Sequence, residues 1–316
     1  MSLTMTLTLL GGTVTACAAA RAGASAVRAR TASRVDTLSV AMPELGGRMR
    51  KIRVYLPAGY AEGRTAYPVL YLQDAQQLFS PGPFGDWLAD EHLDSLIGHG
   101  RLGGLIVVGV DNSERRWDEY GPWVNTHMHA WVPSSWSQPA QGGEGDAYVR
   151  FLTATLKPMI DARYRTLPDR DHTGIGGSSM GALIALHAGI TRPDVFSKVM
   201  AMSTAVWFAE NGGPWLSDNR LLREVQEKPA PTNVHFYLDV GTKERSRDTD
   251  PDVLDGRGRP VSYPRAYLEG SEAVAAALRV AGVPADRFRF RVDEGGIHNE
   301  SAWSARFEDA ITWLYQ

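Results

Sequence analysis

The chain has 316 residues, 43% of them hydrophobic and 22% charged, so it holds ample apolar material for a large core and none of the bias of a disordered chain. Its 33 Lys and Arg against 36 Asp and Glu leave a net charge of −3, and no basic block interleaved with aromatics occurs, which excludes a nucleic-acid partner. The single cysteine, Cys17, excludes an intrachain disulfide, a cysteine-ligated zinc and a cysteine nucleophile within the folded body, and no apolar run reaches the roughly 18 residues that span a bilayer.

Residues 1–34 differ from the rest, with a moderately apolar Met1 to Leu10 followed by an Ala/Gly/Ser/Arg stretch. Val14-Thr15-Ala16-Cys17 fits a bacterial lipobox, in which small residues admit the peptidase and the thiol receives a lipid anchor. The reading is an export leader plus tether, with the protein periplasmic or anchored to a membrane through Cys17. No Lys or Arg precedes Arg21, however, and the competing reading is a cytoplasmic protein with an N-terminal extension and an incidental cysteine. On either reading, residues 1–34 lie outside the fold.

From residue 35 to 316, short β-branched runs alternate with helical patterns, which predicts one α/β domain around a mostly parallel sheet flanked by helices. Strands are expected at 50–56, 69–72, 105–110, 173–176, 198–201, 235–240 and 287–292. Helices are expected at 87–97, 147–163, 180–191, 266–281 and 301–314. The helix at 147–163 places Tyr148, Phe151, Leu152, Leu156 and Ile160 on one face, suited to cover a sheet. The segment 112–145, with four tryptophans and three prolines, reads as a long functional loop or lid. A polar loop at 246–263 carries several aspartates, but Pro251 and Gly256 break the calcium-loop pattern, so it reads as solvated.

The chemistry concentrates at Gly177-Ser178-Ser179-Met180-Gly181, a G-x-S-x-G sequence between a glycine-rich strand and an apolar helix. Ser179 must occupy a strained turn, and glycines on either side let strand and helix approach. Its hydroxyl then stands at a helix N-terminus, where the Met180 backbone N–H faces an attacked carbonyl oxygen. Of the eight histidines, His298 follows the final strand through a flexible glycine-containing turn at 293–297, the place from which a base can overhang the elbow. The orienting acid should follow the penultimate strand: Glu244 is the first candidate, Asp248 the second, and Asp239 points into the sheet.

With these segments the sequence resembles the esterase D and enterochelin esterase-like group of α/β hydrolases, which also holds feruloyl and acetylxylan esterases, siderophore trilactone esterases and mycolyltransferases. The carrying residues are Arg53 to Tyr60, Tyr67 to Asp74, the elbow, Tyr237 to Glu244 and Gly295 to Trp303, and the resemblance spans residues 48–316. It implies an α/β-hydrolase fold and a serine esterase needing no metal or organic cofactor. Asp74-Ala75-Gln76 matches the family's Asp-Gly or His-Gly dipeptide after the third strand, implying the Gln76 amide as second oxyanion donor, with Ala75 where relatives have glycine. The family likeness of 111–122 puts Arg116 near the mouth of the site, against the alternative of an ion pair with Glu119.

The resulting mechanism has Ser179 attack an ester carbonyl, His298 carry the proton, Glu244 orient His298, and Met180 and Gln76 hold the oxyanion. Trp87, Trp117, Trp123, Trp131, Trp136 and Trp207 are candidates to line a substrate groove, Trp117 and Trp207 foremost with Arg116, while core or lid packing is the reading for most of them. The substrate class is a carbohydrate-linked, feruloyl, acetyl or siderophore ester, taken as a small molecule or oligosaccharide. Two alternatives are an acyltransferase on the same triad and a non-catalytic binding protein on an esterase scaffold.

Overall fold

The computed structural model describes residues 32–82, 85–132, 135, 138–212, 216–229, 231–245, 253–254 and 259–316. The lipobox around Cys17, Trp136 and Asp248 lie outside the described residues. Among the described residues no helix is long and apolar enough to cross a membrane.

The strands are β1 (Arg34–Met42), β2 (Arg48–Leu56), β3 (Val69–Gln73), β4 (Ile106–Val110), β5 (Thr173–Ser178), β6 (Lys198–Met202), β7 (His235–Lys243), β8 (Val253–Leu254), β9 (Pro260–Val261) and β10 (Phe288–Ile297). Eight of them form one sheet in the order β1-β2-β4-β3-β5-β6-β7-β10, and β8 pairs with β9 alone. From β4 to β10 all pairings are parallel, whereas β1 and β2 run antiparallel at one edge. The helices are α1 (Ala89–Gly98), α2 (Arg116–Tyr120), α3 (Gly145–Arg150), α4 (Lys157–Arg163), α5 (Met180–Thr191), α6 (Arg220–Glu227), α7 (Tyr263–Val280) and α8 (Glu300–Tyr315).

Alternation along the central strands sorts side chains to two apolar layers. Leu70, Leu72, Met200, Met202 and Tyr237 pack with Leu93 and Leu96 of α1 and Phe307, Ile311 and Leu314 of α8. Val69, Tyr71, Ile175, Val199 and Phe236 face the opposite layer, built from the α3–α4 segment, α5 and α7. Burial on both faces is why these strands read as unbroken apolar runs, and each fully buried large side chain contributes roughly 1.5–3 kcal/mol.

Several elements differ from the sequence expectation. The body starts earlier than residue 35: Ser33 donates to Asp94, and Arg34 opens an edge strand paired with Leu56. The helix expected at 147–163 begins at Gly145 and passes through a π segment, Phe151–Leu156, just ahead of Pro158. Proline has no N–H to continue the ladder, and the slipped register accommodates it. The segment 112–145 is not structureless, since it holds α2, a 3₁₀ turn at Met128–Ala130 and an Asn125–Gln141 bridge. The polar loop at 246–263 is likewise not wholly irregular, because β8 and β9 form a small hairpin within it.

One ionic clamp, built around a buried histidine with one exposed carboxylate partner, ties three helical elements together. His187 of α5 is 3% exposed, with Nδ1 2.9 Å from Glu224 of α6 and Nε2 2.9 Å from Asp146 of α3. Burial alone pulls the imidazolium down, but the two carboxylate hydrogen bonds outweigh it and set the pKa at about 9. Since this lies above the roughly 6.5 of an unfolded histidine, the stabilisation is complete below pH ~6.5 and is lost as pH rises through about 9. We expect His187→Gln to flatten that dependence, so that the thermal-midpoint gap between wild type and variant, measured by circular dichroism, narrows from pH 6.5 to 9.5. A gap that widens with pH would contradict the clamp.

Candidate active site

β5 lies at the centre of the sheet and ends directly in the elbow. Ser179 has φ 56° and ψ −120°, a conformation a non-glycine residue adopts only where its surroundings enforce it. The enforcement is visible: the Ser179 N–H donates to Met202 O of β6, and its carbonyl accepts from Leu183 and Ala205. The flanking glycines are sterically required. A methyl at Gly177 would stand 2.8 Å from the Gly181 backbone, and one at Gly181 would stand 2.9 Å from the Gln73 Cβ. Met180 opens α5, so its N–H belongs to the first turn, whose amides have no acceptor within the helix.

His298 reaches the elbow because β10 is longer than its apolar pattern suggests. The strand continues through residues 293–297, expected as a flexible turn, with a register irregularity between Asp293 and Ile297 where Gly295 takes φ 81°. The Gly295 N–H is held by Thr242 Oγ1 of β7, and Ile297 still pairs with Lys243. His298 Nε2 lies 3.0 Å from Ser179 Oγ, and Nδ1 lies 2.7 Å from Glu244 Oε2.

Glu244 is fully buried just past β7, and its second oxygen, Oε1, accepts from Ser203 Oγ at 2.6 Å and from the Gly241 N–H at 2.5 Å. Ser203, itself at φ 48°, accepts in turn from Trp303 Nε1 at 2.9 Å and from Arg306 Nη2 at 3.1 Å. A carboxylate only accepts, so His298 Nδ1 carries the hydrogen and Nε2 is left to accept the serine proton. Such a line can move that proton onto imidazole as the oxygen attacks a carbonyl. Asp239 is buried on the face of the sheet covered by α8: its Oδ2 sits 3.2 Å from Arg306 Nε of that helix, and burial pushes its carboxyl up to about 7.

On the other side of the elbow, β3 delivers Asp74, Ala75 and Gln76. Asp74, not Ala75, takes the left-handed conformation, at φ 59°, and residues 75–77 form a 3₁₀ turn. Alanine therefore fits at this position without strain, and its methyl is accommodated because β4 has glycine opposite: a Cβ at Gly109 would be 2.6 Å from that of Ala75. Gln76 is braced by its side chain, whose Oε1 accepts the Asn112 N–H at 3.1 Å. The alternative weighed for Arg116, an ion pair with Glu119, does not form. Arg116 instead grips Asp74 with two bonds of 2.8 and 2.9 Å, while Glu119 is buried against Arg50 and Arg48. Asn112 Nδ2 also donates to Asp74, so the loop after β4 and the start of α2 both hold the start of the 3₁₀ turn.

The tryptophans mostly serve packing. Trp207 is 2% exposed, stacks on the equally buried Trp131 at 5.6 Å and spends its N–H on Tyr267, so its place is behind the site and not along a groove. Trp87 packs against Trp303 and Phe307, and Trp123 meets His187 edge-on. Trp117 is only half-buried, between Trp207 and Phe208, with the Arg116 guanidinium 6.0 Å from its ring.

Residues that sequence reasoning passed over include Tyr267, whose hydroxyl is 3.5 Å from Ser179 Oγ and whose ring centroid is 4.4 Å from that of His298. Ser203, Trp303 and Arg306 behind Glu244 belong with it, as does Glu300, whose buried carboxyl is pushed up to about 7, chiefly by burial. Glu300 and Trp303 lay within the motif segment from Gly295 to Trp303; Tyr267, Ser203 and Arg306 carried no local signal.

A family model described as "Putative esterase" matches residues 43–314, and the chain belongs to that family. Its relatives include the "Uncharacterized protein YbbA" of Bacillus subtilis, 26% identical over 266 residues, covering 84% of this chain and 92% of that protein. The "Siderophore triacetylfusarinine C esterase" of Aspergillus fumigatus is 26% identical over 227 residues, covering 69% of this chain and 68% of its own. Among solved structures, a ferulic acid esterase superposes with a TM-score of 0.64 at 20% identity, covering 90% of this chain and 98% of that one, and so shares the α/β-hydrolase fold. The chain is an esterase, as its family membership shows.

Proposed function

We propose, on the premise that the chain is a member of the esterase family, that it hydrolyses siderophore-type carboxylic esters through an acyl-enzyme on Ser179. The observation that supports this best is the continuous line Ser179 Oγ, His298 Nε2, His298 Nδ1, Glu244 Oε2, with spacings of 3.0 and 2.7 Å. In the proposed reaction Ser179 Oγ attacks the ester carbonyl while its proton passes to His298 Nε2. The Met180 and Gln76 amides hold the oxyanion, and His298 then protonates the departing alcohol. Water repeats the sequence against the acyl-enzyme. Glu244 holds the imidazole in the tautomer that makes Nε2 the acceptor.

The siderophore class is supported by relatives named for it, the Aspergillus fumigatus enzyme and the "Siderophore enterobactin esterase" of Emericella nidulans. The Val14–Cys17 lipobox supports action outside the cytoplasm, where such an ester would be met. The test is a panel of trilactone, feruloyl, acetyl and long-chain esters, with released acid measured with and without an alcohol acceptor. The expected result is the highest kcat/KM on a trilactone and free acid as product. A feruloyl ester turned over more efficiently would reassign the substrate, and acyl transfer to the alcohol at the expense of free acid would make the protein an acyltransferase.

A further inference from the structure

Three hydrogen bonds fix the direction of a proton chain that runs past the serine. An indole N–H can only donate, so in the 3.1 Å contact between Trp207 Nε1 and Tyr267 the phenol oxygen accepts, and the phenol's own hydrogen is turned elsewhere. Ser179 Oγ, at 3.5 Å, is the group facing that hydroxyl. From the other end, Glu244 fixes the hydrogen on His298 Nδ1, so the serine hydrogen is committed to Nε2 and Oγ is left with lone pairs to accept. The two ends demand the same polarity: Trp207 to Tyr267, Tyr267 to Ser179, Ser179 to His298, His298 to Glu244.

We propose that the Tyr267 hydroxyl is a further catalytic group of this site, donating a hydrogen bond to Ser179 Oγ whenever that oxygen bears negative charge. The inference rests on the serine mechanism proposed above. In acylation the Oγ–carbon bond forms as the serine proton moves to His298, which passes it to the leaving oxygen as the carbon–oxygen bond breaks. In deacylation water's oxygen bonds to the carbonyl carbon and its proton moves to His298; the Oγ–carbon bond then breaks, the electron pair stays on Oγ, and His298 returns the proton. Oγ carries developing charge at its attack and at its release, and a charge-assisted bond from Tyr267 shortens at both moments. Tyr267 never gives up its own proton. Burial pushes the phenol up to about 12, so it stays a donor at working pH. Its position is held by packing: α7 carries it at 3% exposure, the Tyr263 ring stacks with it at 6.2 Å, and the His298 ring centroid lies 4.4 Å away.

The test is a double-mutant cycle with a p-nitrophenyl ester. Tyr267→Phe keeps the ring against His298 and removes only the hydroxyl, and we expect kcat to fall about tenfold to a hundredfold with KM within about twofold. Trp207→Phe, which frees the phenol to turn, should cost less, and the double variant should be no worse than Tyr267→Phe alone. Wild-type kcat in Tyr267→Phe, a loss confined to KM, or costs that add in the double variant would overturn the role. Labelling of wild type and both variants with an organophosphonate separates this from the underlying reading. An adduct on Ser179 with unchanged kcat in Tyr267→Phe rejects Tyr267 alone, whereas an adduct elsewhere rejects the serine mechanism itself.

Discussion

Ser179→Ala is expected to lower kcat for ester hydrolysis by about 10⁴- to 10⁶-fold, with the thermal midpoint close to wild type. The size follows from what the hydroxyl does in the proposed mechanism. It supplies the attacking atom, and the described hydroxyls around it offer no substitute, since Tyr267 is buried and holds its proton and Ser203 is engaged by Glu244, Trp303 and Arg306. His298→Ala should be about as damaging, and the Ser179→Ala/His298→Ala double variant hardly worse than either single one, because groups that act as a unit do not contribute additively. Stopped assays with the preferred ester, alongside circular dichroism to confirm the fold, measure this directly. Additive losses would show that the two residues act separately.

Glu244→Gln should lower kcat by about 10³- to 10⁴-fold, more than the loss of one ordinary hydrogen bond. The carboxylate accepts three bonds, from His298 Nδ1, Ser203 Oγ and the Gly241 N–H. A glutamine has one accepting oxygen. If it stays with Ser203 and Gly241, the amide N–H₂ faces Nδ1 and reverses the tautomer, so Nε2 carries a hydrogen and cannot take the serine proton. If the amide turns round, its N–H₂ confronts the buried Gly241 N–H, and stability falls instead, by about 1–3 kcal/mol for an unsatisfied donor. Asp248→Asn should remain near wild type, and the opposite ranking of the two variants would move the orienting role to Asp248.

What the sequence made legible were the features whose cause is local. Near-continuous apolar runs bounded by turns located β3, β4, β6 and β7, because burial on both faces leaves little polar alternation to confuse the reading, whereas β2 and β10 were legible from apolar residues alternating with arginine. The elbow was legible because its glycines, serine and following helix are contiguous, and Glu244 and His298 because each closely follows a strand end. β1 was missed because it lies at the sheet edge with mostly exposed, alternating polar residues. α2 and α6, of 5 and 8 residues, are too short for a helical period to stand out, and α2 sits inside a segment whose prolines and tryptophans suggested irregular structure.

The non-local chemistry could not be read in advance. Arg116 has Glu119 three residues away, yet it pairs with Asp74 across 42 positions, because β3 and the loop after β4 end side by side and Arg50 already holds Glu119. Trp207 looked like a candidate groove residue by type, but its indole is enclosed by Trp117, Trp131 and Phe208 and its N–H serves Tyr267. Tyr267 itself is one aromatic among many on an amphipathic helix, and only the packing of α7 beside the elbow brings it to Ser179.

In the proposed mechanism one serine, Ser179, forms the covalent intermediate. The direct measurement is to treat the purified protein with a fluorophosphonate probe, digest it and locate the adduct by mass spectrometry, with Ser179→Ala and His298→Ala in parallel. The proposed mechanism predicts a single stoichiometric adduct on Ser179 in wild type, none in Ser179→Ala, and labelling slowed by orders of magnitude in His298→Ala. An adduct on another serine, or wild-type labelling in Ser179→Ala, would contradict it.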